Sequence, residues 1–219
     1  MEIQYTDLSY EVYKRLKAMI LAKELAPGEK LKQEQIAVML GVSRMPLHKA
    51  FQMLENEMLV ESIPRRGFYV TKIDNAKLVD AFECREVLEG VAVRRATEVI
   101  EKEEIEYLKS LFKPFVGKQK IDIKKYIESD QEFHNSILKI SGNQILKRFE
   151  IIKNITSQTY RGGLIRQPEE TLQEHLDIID AIEKRDAVLA EILIREHSRK
   201  TCSLLKYKSD EVDDLRKKT

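Results

Sequence analysis

Apolar positions recur at three- and four-residue intervals along most of this chain, and a few punctuation points break the rhythm. Val12, Leu16, Met19 and Ile20 make one stripe over Tyr10 to Leu21, which predicts an amphipathic helix stopped by Ala26-Pro27-Gly28. Ile36, Ala37 and Leu40 share one side of Gln33 to Leu40, a second helix. Leu47, Ala50, Phe51 and Leu54 predict a third, starting at Arg44 with Pro46 in its first turn, where a missing N–H costs nothing. The turn between them is Gly41-Val42-Ser43: the glycine admits positive φ, and the Ser43 hydroxyl is expected to cap the next helix. The period then shortens. Leu59 to Ile63 and Phe68 to Lys72 are β-prone runs flanking Pro64-Arg65-Arg66-Gly67, which reads as a hairpin with two arginines at its tip.

Beyond Ile73 no strand pattern remains. Asp74-Asn75 is a cap and linker, so the expected domains are 1–73 and 74–219. Amphipathic helical segments follow at about 76–98, 101–119, 122–140, 143–162, 168–184 and 186–208, with short loops at Ser141-Gly142-Asn143, Gly162-Gly163 and Arg185-Asp186. The terminal SDEVDDLRKKT run is charged and expected to fray. The predicted fold is mainly α: an N-terminal winged helix-turn-helix of three helices and a two-stranded wing, then an all-helical antiparallel bundle.

Composition narrows the class. With 219 residues, 42% hydrophobic and 34% charged, the chain can bury real cores. A net charge of +1 neither marks nor excludes a nucleic-acid partner, because a basic face can be offset by an acidic second domain. No apolar run suits a signal peptide or a membrane span, so a cytoplasmic protein is expected. Cys84 and Cys202 lack any paired spacing and read as buried small hydrophobes.

The first domain's chemistry lies opposite the apolar stripe of its third helix. Arg44, Met45, His48, Lys49 and Gln52 combine cation, donor and apolar contact, which suits phosphates and base edges in a major groove. The Arg65-Arg66 hairpin would lie along the backbone or enter the minor groove. Each feature alone is an ordinary surface helix or solvated turn, but their order and spacing together make a recognition helix and wing. Residues 9 to 72 resemble the winged helix-turn-helix of the GntR family of bacterial transcription regulators: YEVYKRLKAMILAKELAPGEKL, then QIAVMLGVSRMPLHKAFQMLENEMLV, then RRGFYV. The resemblance implies dimeric operator binding, with Arg44, His48 and Arg66-Gly67 at the DNA. His48 and Gln35 both stand where arginine is usual in that family, so two fixed charges are missing.

The second domain holds three of the four histidines. Asp130 and His134 are four apart and share a helix face; His175 lies on a helix marked as buried by Leu176, Ile178, Ile179 and Ile182. His197 extends an expected inward row, Leu189, Leu193, His197. One carboxylate and three imidazoles from three helices suit a divalent transition metal, zinc foremost, with nickel, manganese or iron as alternatives. Residues 76 to 206 resemble the FCD effector domain of the FadR-like branch of that family, whose metal-binding members match Asp130, His134, His175 and His197. The same resemblance implies a small carboxylate effector, with Arg85 as its clamp unless that arginine makes a surface salt bridge with Glu89; Asn154 and Arg161 are further pocket candidates.

The expected function is a homodimeric repressor whose operator binding is controlled by a metal-linked organic acid. Effector binding would alter the spacing of two recognition helices, which must sit about one DNA turn, ~34 Å, apart. Two other readings stay open: a metal-dependent hydrolase with Glu132 or Glu174 as base, and a regulator whose bundle only dimerises.

Overall fold

The computed structural model describes residues 8–146, 150–157 and 165–217, so Arg161 and the Gly162-Gly163 loop lie outside the described residues, as does the side chain of Asn154. The chain divides into two compact units, Met1–Ile73 and Asp74–Thr219.

In the first unit, α1 (Leu8–Leu21) buries Val12, Tyr13, Leu16, Met19 and Ile20. They pack with Leu47, Ala50, Phe51 and Leu54 of α3 (Arg44–Asn56), and each such aliphatic or aromatic burial contributes about 1.5–3 kcal/mol. α2 (Gln33–Leu40) ends at Gly41, whose φ of 65° lets the Val42 amide turn back to the Ala37 carbonyl. Ser43 occupies the N-cap position of α3 with extended backbone, but its hydroxyl makes no capping bond, contrary to the expectation from sequence. Strands β1 (Val60–Ile63) and β2 (Gly67–Val70) pair antiparallel, Val60 opposite Val70 and Ile63 opposite Gly67. Positive φ at both Arg65 and Gly67 closes the wing tip, and Phe68 packs back on Phe51 at 4.8 Å between ring centres.

In the second unit, the Asp74 side chain accepts the Lys77 amide at 2.8 Å and starts α4 (Asn75–Val99). α4 runs antiparallel to α9 (Ala187–Lys217): Asn75 donates to the Leu205 carbonyl at one end, and Arg94 pairs with Glu191 towards the other. Gly90 leaves room for the Arg195 side chain, since a Cβ there would lie 2.5 Å from its Nε. α5 (Lys102–Phe112) begins with a Glu101/Glu104 capping box and stops before Pro114, where a 3-10 turn (Lys113–Phe115) replaces the helix expected to continue to 119. α6 (Ile123–Ile140) is capped by Asp122.

Of the helix expected over 143–162, the described part is α7 (Glu150–Ser157), while 147–149 and 158–162 lie outside the described residues. Ahead of it, the Asn143 side chain accepts the Ile145 and Leu146 amides in a local turn. α8 (Pro168–Glu183) begins on a proline and leads into Arg185, whose left-handed backbone aims its guanidinium at the Thr97 and Ile100 carbonyls at the end of α4. α9 extends to Lys217, into the charged run expected to fray. Cys202 is buried, but Cys84 is exposed, so only one of the two is the small buried hydrophobe expected.

Candidate functional site

Two groups of side chains stand out, one in each unit. On the first, Gln35, Arg44, His48, Lys49 and Arg66 are all exposed and Gly67 is half-buried. Arg44 Nη2 donates to Glu34 Oε1 at 2.6 Å, and the His48 ring rests edge-on against Phe68. This face offers cations and donors from α2, α3 and the wing, the chemistry required to follow a phosphate backbone and touch base edges.

The second group is internal. Asp130 and His134 project from α6, His175 from α8 and His197 from α9, all four buried, with one ligand atom from each lying within 4.8 Å of all the others. The inward row that carries His197 is not the expected one. Leu189 is exposed, and Ala190, Ile194, His197 and Thr201 form the buried stripe instead, because the packed face lies one position further along.

Partners outside the cluster orient each imidazole. His197 Nδ1 donates to Glu174 Oε2 at 2.8 Å, and Glu174 is itself held by both Nη atoms of Arg166 and by Lys200. His134 Nδ1 lies 2.9 Å from Glu89 Oε1, off the N–H axis. His175 Nδ1 is 3.2 Å from the Tyr126 hydroxyl, which pairs with Thr171 Oγ1 at 2.7 Å. With each Nδ1 directed outward, each Nε2 is left to the interior. The Nε2 atoms of His134 and His175 are buried without a properly aligned hydrogen bond, although they lie 3.8 and 3.1 Å from Asp130 Oδ1.

Electrostatics agree with this picture. Burial drives the His197 imidazole down to about 4 despite its bond to Glu174, and lowers His175 in the same direction. Burial also opposes charge on Asp130, but the His175 imidazole 3.1 Å away and the neighbouring His134 and Arg85 outweigh it and hold the carboxyl well below its usual range. A buried carboxylate among three imidazoles is a donor set for a divalent transition metal; hard cations such as magnesium prefer all-oxygen sites. The residues therefore fit such an ion.

Arg85 is buried, and its Nε donates to Glu89 Oε1 at 2.8 Å, so the Glu89 pair foreseen as a surface salt bridge is an internal one. Glu89 also accepts from Ser198, and with Arg85 and His134 beside it outweighing burial, its carboxyl is held at about 2. Glu132 is exposed and takes bonds from Tyr107 and Ser136, and Glu174 is fully engaged, so neither is placed as a general base. Sequence reasoning missed Arg166, Tyr126 and Thr171. Polar residues at i, i+4 and i+8 on α8 and its approach (Arg166, Glu170, Glu174) were the available signal.

Comparison with known proteins follows the same division. Residues 8–70 match the model of the bacterial regulatory proteins, gntR family, and residues 80–200 match the FCD domain. The chain is 28% identical over 196 residues to the HTH-type transcriptional repressor RspR of Escherichia coli K12, covering 87% of this chain and 85% of that one. It is 26% identical over 216 residues to the uncharacterized HTH-type transcriptional regulator YdhC of Bacillus subtilis, covering 94% of each. The solved structure of E. coli McbR/YncC superposes with a TM-score of 0.70 at 20% identity, over 92% of this chain and 98% of that one, a likeness of fold.

Proposed function

This chain belongs to the GntR family of bacterial regulatory proteins, with an FCD domain behind its winged helix, and we propose that this DNA-binding transcription regulator is a repressor controlled by a metal-linked carboxylate effector. Its relatives are regulators, not enzymes. Among the described residues no helix is long and apolar enough to cross a membrane, and the working compartment proposed is the cytoplasm.

The observation that carries the metal reading is the convergence of four buried ligand atoms within 4.8 Å. Asp130, His134, His175 and His197 would hold the ion, zinc foremost. Bound there, it would supply a Lewis-acid position for an effector oxygen. Glu174 and Tyr126 keep the His197 and His175 rings in the ligand orientation. Arg85 would anchor the effector's carboxylate by exchanging ion-pair partners with Glu89. On the first unit, α3 would enter the major groove with Arg44, His48 and Lys49, while Gln35, Arg66 and Gly67 approach the backbone or the minor groove. Two copies would bind one operator, since a two-fold protein matches a palindromic site.

Elemental analysis of untagged protein beside its His134→Ala variant tests this. About one equivalent of transition metal, lost in the variant, supports the reading. A metal-free wild type prepared without chelators would falsify it and leave the bundle as a dimerising module.

A further inference from the structure

The cations of the candidate DNA face are not held alike. Among the described residues Lys49, Arg65 and Arg66 make no ion pair. Arg44, the first residue of α3, is held by Glu34 from the first turn of α2, Nη2 to Oε1 at 2.6 Å. The Gly41-Val42-Ser43 turn, with Gly41 at φ 65°, brings these two helix starts together across ten positions of sequence. Both side chains are largely exposed, 72% for Arg44 and 79% for Glu34, and an ion pair so open to water adds little to folding. Its consequence belongs to the state in which the face is covered and the water removed.

Resting on the reading that α3 enters the major groove, we propose that Glu34 is a positioning residue that makes Arg44 a base reader and keeps it from acting as a phosphate contact. Two physical effects combine. The carboxylate offsets the charge of Arg44, so the pair has little attraction for the backbone of arbitrary DNA, whereas Lys49, Arg65 and Arg66 keep theirs. It also engages Nη2 of the planar guanidinium fork, biasing the direction of the remaining donors before DNA arrives. A guanine edge, with its N7 and O6 acceptors, is the partner such a fork matches. A freely rotating arginine would have to lose that freedom on binding and would take the nearest phosphate as readily. Glu34 therefore trades total affinity for discrimination, and the base it serves is a guanine in each half-site.

The test begins with a high-affinity duplex selected from a randomised pool by the full-length wild-type protein. Affinities for that duplex, for the same duplex with single guanine replacements, and for an unrelated duplex are then compared among wild type, Glu34→Gln and Arg44→Ala at two salt concentrations. The expected result has three parts. One guanine replacement weakens wild type by about 10-fold or more. The same replacement has little effect on Arg44→Ala. Glu34→Gln binds the unrelated duplex more tightly, with a steeper salt dependence, and loses most of the discrimination at that guanine. If Glu34→Gln tightens every duplex equally and keeps the guanine preference, or changes nothing, the positioning role is overturned. If no replacement distinguishes wild type from Arg44→Ala, it is the placement of Arg44 in the groove that fails. Equal thermal melting of Glu34→Gln and wild type, expected for a pair so exposed, shows that folding does not enter.

Discussion

The two candidate sites place ionisable side chains under opposite conditions. Arg44, His48, Lys49 and Arg66 stand in water on the first unit, whereas Asp130, His134, His175 and His197 are buried in the second. Solvent screens the first set, so a single charge there scarcely affects folding. The second set is buried, and each donor or acceptor needs a partner or an ion. Function and stability are thus separable on the DNA face and bound together inside the bundle.

The hardest test of that contrast is His175→Ala. Its ring is fully buried and stacked on Phe112 with centres 4.5 Å apart. Removing it should abolish metal retention and lower the stability of the metal-free protein by about 2–4 kcal/mol, by cavity formation and loss of the Tyr126 partner. Denaturant midpoints and metal content measure both; wild-type stability in the variant would contradict a site built into the core.

Acid should distinguish the two regions next. His197 sits at about 4 in the folded state, below the ordinary imidazole value of about 6.5, and His175 is displaced the same way. A depressed value means the unfolded chain binds the proton first, so the stabilising effect is complete above about pH 6.5 and is lost as pH falls towards 4. The lowered carboxyls of Asp130 and Glu174 act with the same sign at lower pH. Urea midpoints of metal-free protein should accordingly be flat at neutral pH and decline through the acidic window. A midpoint that rose on acidification would contradict buried neutral imidazoles.

The smallest effect on folding is expected for Arg66→Ala, at the exposed wing tip. Stability should change by no more than about 0.5 kcal/mol, while affinity falls alike for all duplexes and the salt slope drops by about 1. Titrations at several salt concentrations measure this, and a change confined to one sequence would instead make Arg66 a base contact.

Much of this molecule was legible before any coordinates. Periods of three and four, Gly41, Pro46 and the Pro64 to Gly67 turn specify the helices and wing of the first unit, because those signals act within one or two turns of chain. Asp130 and His134 also share a face by spacing alone. Less local matters were not legible. Pro114 ended α5 early, although the apolar spacing beyond it continues at helical intervals. His197 belonged to a row one position away from the expected one, since the facing helix decides which stripe is buried when both rows are apolar.

The sequence alone determined the order of elements, the helix-turn-helix with its wing and the residue types able to bind a metal. Tertiary structure decided that Asp130 and three histidines from three helices share one buried point, that Glu174, Tyr126 and Glu89 sit behind the rings, and that Glu34 faces Arg44. Periodicity fixes the direction of a side chain around its own helix axis. Which partner it meets depends on how helices distant in sequence pack, and their spacing along the chain does not encode that distance.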